Sequence, residues 1–143
     1  MATLENVKVL IEQFYAQTQA EWYKNLLGYV PAVLEVNSLG ETSGYRPERN
    51  FILISLAKGN LDDHDILDRD GWPLWKAELV HEMLHEFAHK ALRAASECGT
   101  TLNAMPKHPV WGSCPGHDEL FCTAVCEKAS SFGLSPEELL GRL

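Results

Sequence analysis

Between Ala77 and Leu92 the chain reads AELVHEMLHEFAHKAL, three histidines at four-residue intervals with a glutamate directly after the first. Residues four apart on an α-helix lie on one face a turn from each other. The imidazoles of His81 and His85 can therefore reach a single ion, and Glu82 can face water bound to it. That spacing is what zinc hydrolysis requires. Zinc prefers nitrogen donors in tetrahedral geometry, and a catalytic site uses three protein ligands and keeps the fourth position for water. The ion lowers the pKa of bound water towards ~7 and polarises the scissile carbonyl, while Glu82 takes the water's proton and passes it to the leaving amine. Without a metal, a helix packed inward through Val80, Leu84 and Phe87 would bury two histidines and a glutamate to no purpose, which is costly.

His89 does not complete this site. An ion between His81 and His85 is one further turn away, and a helix rises ~5.4 Å per turn. The extended motif with a third nearby histidine needs a glycine to reverse the chain, and HEFAHKALR has none. A supporting contact or an exposed face is the expectation for His89. The third ligand must come from further along, where His108, His117, Asp118 and Glu119 are the candidates. His117 and Glu119 both stand where a second helix begins, a rigid place for a ligand. Chemistry alone does not separate an all-imidazole set from a His₂Glu set.

The elements that must position these residues follow from periodicity and punctuation. At 143 residues the chain is expected to form one domain, 1–143, of α+β class. Leu4, Val7, Leu10, Ile11, Phe14, Trp22 and Leu26 recur with helical rhythm, predicting an amphipathic helix from Thr3 to about Leu27. AVLEVNS and NFILISL have the β-branched content of two strands, and the glycines and proline of LGETSGYRPER suggest a hairpin with a long connection, with a weaker third strand near Tyr45. Pro73 suits the first position of the next helix, expected to run to about Glu97 with Ala77, Val80, Leu84, Phe87, Ala88, Ala91 and Ala95 as its buried stripe. A long irregular segment rich in proline and glycine follows, of a length that is usually functional. A helix from about His117 to Phe132 and a short one capped by Ser135 close the chain.

Composition narrows the function classes. The formal net charge is -8, from 20 acidic and 12 basic residues, with no basic run. That argues against a domain holding nucleic acid through its phosphates. No apolar stretch reaches membrane-spanning length, and Glu5, Lys8 and Glu12 interrupt what would have to be a signal peptide, so a cytoplasmic protein is expected unless it is delivered as an effector. Cys98, Cys114, Cys122 and Cys126 contain no CxxC pair and are expected as free thiols, Cys122 and Cys126 as small buried hydrophobes; a Cys98 to Cys114 bridge would require delivery outside the cell. The acidic loop from Asp62 to Gly71 fails the EF-hand pattern, because Gly71 at position six puts Ile66 at one and Ala77 at twelve. Trp72, Trp75 and Trp111 fit either a core or a cleft, and His108 is a candidate oxyanion donor.

The segments RNFILISLAKGNL, ELVHEMLHEFAH and PGHDELFCTAVCEKA together resemble the SprT-like metallopeptidase domain, the family that includes the DNA-protein-crosslink protease Spartan. The resemblance is carried by the ILIS strand at Ile52 to Ser55, by HEMLH at His81 to His85, and by Gly116-His117 with Phe121, and it spans about Asn50 to Ala129. It implies a zincin-like fold with an N-terminal helix, a small antiparallel sheet, an active-site helix and a following ligand helix. It also implies a zinc site of His81, His85 and His117 with Glu82 as general base, favouring His117 over Glu119. Asp118 stands where the family has a glycine, no cysteine ribbon follows, and the acidic balance gives no reason to carry over a role on DNA. The expected activity is hydrolysis of peptide bonds in a protein or peptide substrate. The alternatives are a zincin-type amidase acting as a toxin or effector, and a non-catalytic zinc-containing binding module; an intact Glu82 favours catalysis, since a structural site needs no base.

Overall fold

The computed structural model describes residues 4–39, 41–56, 72–92 and 119–142. They form four α-helices and a three-stranded sheet, an α+β arrangement. The described residues divide into two compact units, one up to Met83 and one from Leu84 to Arg142.

The first unit is organised by one strand. β3 (Phe51–Ser55) is the central strand, with β1 (Val33–Asn37) on one side and β2 (Gly44–Arg46) on the other. Ile52 to Ser55 are all buried, as an uninterrupted apolar run predicts for a strand covered on both faces. β1 runs parallel to β3, with Val33 opposite Phe51 and Asn37 opposite Ser55, whereas β2 is antiparallel, with Tyr45 opposite Ile52. The sheet is therefore mixed, which corrects the expected antiparallel hairpin of β1 and β3. A parallel pair needs a crossover of about a dozen residues or more, and the stretch 38–50 is long enough to carry the chain back. The weakly supported strand near Tyr45 is the true antiparallel partner.

Side chains fix this register at both ends. Asn50 ends the 3-10 turn Pro47–Arg49 in the left-handed region (φ 49°, ψ 58°), a conformation asparagine tolerates. Its side-chain amide donates to the carbonyls of Pro31 (3.0 Å) and Val30 (3.4 Å), and its own carbonyl accepts from Val33 N–H at 2.9 Å. At the other end Ser55 Oγ donates to Asn37 Oδ1 (3.1 Å) and accepts from Glu41 N–H (2.9 Å), while Ser43 Oγ accepts from Ser55 N–H (2.8 Å).

Helix α1 (Leu4–Trp22) buries Val7, Ile11, Tyr15 and Trp22 and leaves Val9 and Leu10 largely exposed. The Tyr15 hydroxyl accepts the Ala32 N–H at 2.9 Å in a buried setting, which ties the helix to the lead-in of β1. α1 stops five residues short of the expected Leu27. The chain turns instead, with Gly28 at φ 77°, so that Tyr23 stacks on Tyr29 at 3.7 Å between ring centres.

Helix α2 (Leu74–Phe87) follows Pro73, whose carbonyl accepts the N–H groups of Lys76 and Ala77. Trp72 and Trp75 are buried, and Trp75 meets Phe14 edge to face at 5.9 Å, so both belong to the core of this unit. Leu79 and Met83 are fully buried as well as Val80, Leu84, Phe87 and Ala88, whereas Ala77 and Ala91 are only half-buried. The buried surface is thus wider than the expected stripe. At Ala88 the helix passes into a five-residue π-helical segment, Ala88–Leu92; the rest of the expected helix, to Glu97, lies outside the described residues.

In the second unit, α3 (Glu119–Ala129) buries Phe121, Cys122, Ala124 and Val125, and α4 (Pro136–Arg142) buries Leu139. Gly133 (φ 70°) turns the chain after the 3-10 segment Ser130–Phe132. The expected cap of the last helix is formed reciprocally: Glu138 N–H donates to Ser135 Oγ, and Ser135 N–H to Glu138 Oε1. Among the described residues no helix is long and apolar enough to cross a membrane.

Tyr15→Phe leaves the buried Ala32 N–H without its hydroxyl acceptor and is expected to cost about 1–2 kcal/mol in urea denaturation. Lys8→Ala, which removes an exposed pair 3.9 Å from Glu12, is expected to change stability by less than about 0.5 kcal/mol.

Candidate active site

α2 keeps α-helical geometry through the whole of His81 to His85 and departs from it only at Ala88. The four-residue spacing of the two histidines is therefore one turn of regular helix, as the motif requires. Both are half-buried, and Glu82 is 8% exposed. His89 falls in the π-helical segment and is also half-buried.

Glu82 is held from the sheet. The backbone N–H of Tyr45 donates to the Glu82 carboxyl. One turn earlier on α2, Glu78 Oε1 accepts the Ser43 hydroxyl at 2.8 Å, and the same Ser43 oxygen takes the N–H of Ser55 at the end of β3. Successive contacts from the edge strand and the residue before it thus engage two glutamates four apart on one helix.

Burial of Glu82 outweighs these contacts electrostatically. Loss of solvent around the carboxyl, then repulsion from Glu78, lift its pKa from 4.5 to about 7, against the opposing pull of the Tyr45 N–H and the Arg46 guanidinium. A carboxyl that exchanges its proton near neutrality is what a general base or acid needs.

His85 rests against Phe121 of α3, with ring centres 4.4 Å apart and a 35° tilt. Phe121 is itself 1% exposed, so this packing limits where the imidazole can turn. Glu86, with no exposed surface, pairs with Lys90 at 2.6 Å within the same unit.

The described residues fit the first part of a zinc site: two imidazoles on an unbroken turn with a buried carboxyl between them. They do not gather a third donor, and among them no group of three His, Cys, Asp or Glu side chains is assembled for a metal. Of the distal candidates, Glu119 opens α3, while His108, His117 and Asp118 lie outside the described residues. So do Trp111, Cys98, Cys114 and the acidic loop 62–71.

Cys122 departs from expectation. It is buried as foreseen, but it is disulfide-bonded rather than a free thiol, and it is thereby removed from any thiolate role. Spacing along a chain does not report which cysteines approach in space. Cys126 is not disulfide-bonded and is half-buried, and its thiol pKa is raised, first by burial and then by Glu137 and Glu127, which suits neither a nucleophile nor a metal ligand.

Ser43, Tyr45, Arg46 and Glu78 were not singled out by sequence reasoning. The one usable signal was the row Glu78, Glu82, Glu86, three acids at i, i+4 on a helix whose surroundings are apolar. No protein-family model, no curated protein and no solved structure matches the chain.

The raised pKa of Glu82 has a signed consequence for stability. A carboxyl whose folded pKa lies above its unfolded value favours folding fully below pH 4.5, and that contribution is lost as pH rises through about 7. In metal-free protein, Glu82→Gln is expected to be more stable than wild type at pH 8 by about 2–3 kcal/mol, with the difference shrinking towards zero near pH 4.5. Urea denaturation in chelator across that range reads it directly.

Proposed function

We propose that the chain is a zinc-dependent metallopeptidase of SprT-like, zincin type. The observation that carries the reading is the pairing of His81 and His85 on one regular turn with a buried Glu82 whose pKa lies near 7. A structural metal site has no use for such a carboxyl, which weighs against a non-catalytic binding module.

In this reading His81 and His85 supply two imidazole ligands and His117 the third. When bound, zinc supplies a Lewis acid that polarises the amide carbonyl and acidifies water. Glu82 accepts the proton of the attacking water and returns it to the nitrogen of the departing amine. Its burial and the neighbouring Glu78 raise its affinity for that proton, and the Tyr45 N–H keeps the carboxyl directed at the sheet edge between transfers. Phe121 holds the His85 ring in place. The substrate is a protein or peptide, met in the cytoplasm, with no part for nucleic acid or membrane.

The Cys122 disulfide favours a second reading, a zincin-type amidase delivered outside the cell as a toxin or effector, because disulfides persist in oxidising compartments. Alkylation of unfolded, unreduced native protein followed by peptide mass spectrometry separates the two. Label on Cys126 alone of the α3 pair is the expected outcome for the delivered form; label on both would return the chain to a reducing compartment.

The enzyme reading predicts one zinc per chain, lost in His81→Ala, His85→Ala and His117→Ala but kept in Glu119→Ala and Glu82→Gln. Glu82→Gln is expected to retain the metal while peptide hydrolysis falls about 10²–10⁴-fold. Metal analysis beside a casein or quenched-peptide assay tests both. Zinc retained in His117→Ala but lost in Glu119→Ala would move the site to the His₂Glu class, and no zinc in any form would sink the enzyme reading.

A further inference from the structure

Two hydrogen bonds run from the start of β2 to helix α2. Ser43 Oγ donates to Glu78 Oε1 at 2.8 Å, and two residues further along, the backbone N–H of Tyr45 donates to the Glu82 carboxyl. A strand advances about 6.6 Å over two residues, and a helix about 6.0 Å over four. The two donors are thus spaced nearly as the two acceptors are, with residue numbers rising the same way on both sides. One such bond leaves a helix able to turn about it. Two bonds fix its register against the strand.

The Ser43 bond is itself anchored in the sheet. A backbone N–H can only donate, so the Ser43 oxygen that takes the Ser55 N–H at 2.8 Å has its own proton left for Glu78. Ser55, 8% exposed, donates its hydroxyl to Asn37 Oδ1 at 3.1 Å and accepts the Glu41 N–H at 2.9 Å. The network therefore runs from the end of β1 through the end of β3 to α2. The donor to Glu82, by contrast, is a main-chain group with no rotamer of its own. It stands wherever β2 stands, and Ser43 ties β2 to the helix.

We propose that Ser43 and Glu78 are positioning residues for the general base: their hydrogen bond holds the Tyr45 N–H, and with it the Glu82 carboxyl, at the place where it meets the attacking water. The inference rests on the peptidase reading for what Glu82 does there. Neither residue transfers a proton. A reacting group misplaced by about 1 Å loses on the order of 10²-fold in rate. Loss of the Ser43 hydroxyl therefore acts on turnover, whereas His81 and His85 keep their spacing on a turn of regular helix. Ser43→Ala also leaves both acids in the protein, so it changes position without removing a charge.

Amide hydrogen exchange followed by NMR, on metal-free protein in chelator, reads the arrangement without requiring turnover. In Ser43→Ala the Tyr45 amide is expected to exchange about tenfold or more faster than in wild type, while the slowest amides of β3 stay within about threefold. Ser43→Thr, which keeps the hydroxyl, is expected to restore most of the protection. If Ser43→Ala does not fold, Glu78→Ala, which removes the acceptor of the same bond, takes its place. In zinc-loaded protein Ser43→Ala is expected to keep one zinc per chain and a KM within about threefold, and to lose about tenfold or more in kcat, with Ser43→Thr recovering most of it. An unchanged Tyr45 amide, an unchanged kcat in a hydrolysing enzyme, or an equal loss in Ser43→Ala and Ser43→Thr would overturn the proposal. Faster Tyr45 exchange in a protein that hydrolyses no peptide in any form would keep the tie to Glu82 and discard the peptidase; hydrolysis with the Tyr45 amide unmoved would do the reverse.

Discussion

A glutamate taken out of water on a helix and tethered to the backbone of a strand is the constraint on which the first unit turns. Glu82 is 8% exposed, and a carboxyl in that position destabilises the fold whenever it is charged unless donors meet it. The Tyr45 N–H of β2, an edge strand among the described residues, meets it. β2 has three residues, too few to be stable alone, and it is held by pairing with β3 and by Ser43, which bridges the end of β3 to Glu78. The sheet therefore does more than cover a hydrophobic face. Its central strand fixes its edge strand, and the edge strand aims the acid on α2.

The three glutamates at i, i+4 on this helix illustrate how the same side chain is put to different uses by its surroundings. Glu78 is half-buried and satisfied by a neutral hydroxyl. Glu86 has no exposed surface and is neutralised by Lys90 at 2.6 Å, a pair whose loss on one side would leave a buried charge. Glu82, between them in sequence, has among the described residues one backbone donor and a cation acting at a distance, and these do not offset the burial and the Glu78 charge that raise its proton affinity. Pairing makes a buried acid inert; incomplete compensation makes it reactive. That contrast supports giving proton transfer to Glu82 in the proposed reaction, independently of the motif it belongs to.

The sequence was legible where a local rule operates without competition. The HEMLH turn, the ILIS core strand and the Ser135 cap depend on spacings of a few residues, and each occurs where those spacings place it. Tertiary choices were not legible. Whether β1 pairs with β3 in parallel or as a hairpin depends on the path of the residues between them, and a strand of three residues contributes too little pattern to announce itself. The end of α1 at Trp22 is accompanied by the stacking of Tyr23 on Tyr29, a contact between residues six apart that no helical rhythm announces. Ser43 and Arg46 come to the site because the sheet brings them there, and neither carries a signature along the chain. The Cys122 disulfide was missed for the same reason.

The central claim is that α2 presents two imidazoles and a base to one metal ion. Zinc K-edge X-ray absorption of the purified, zinc-loaded protein tests it most directly, because it reads the donor atoms themselves. The account predicts a first shell of nitrogen and oxygen at about 2.0–2.1 Å with the outer-shell scattering of imidazole rings, and no sulfur near about 2.3 Å. A sulfur shell, or a spectrum without imidazole scattering, would contradict it.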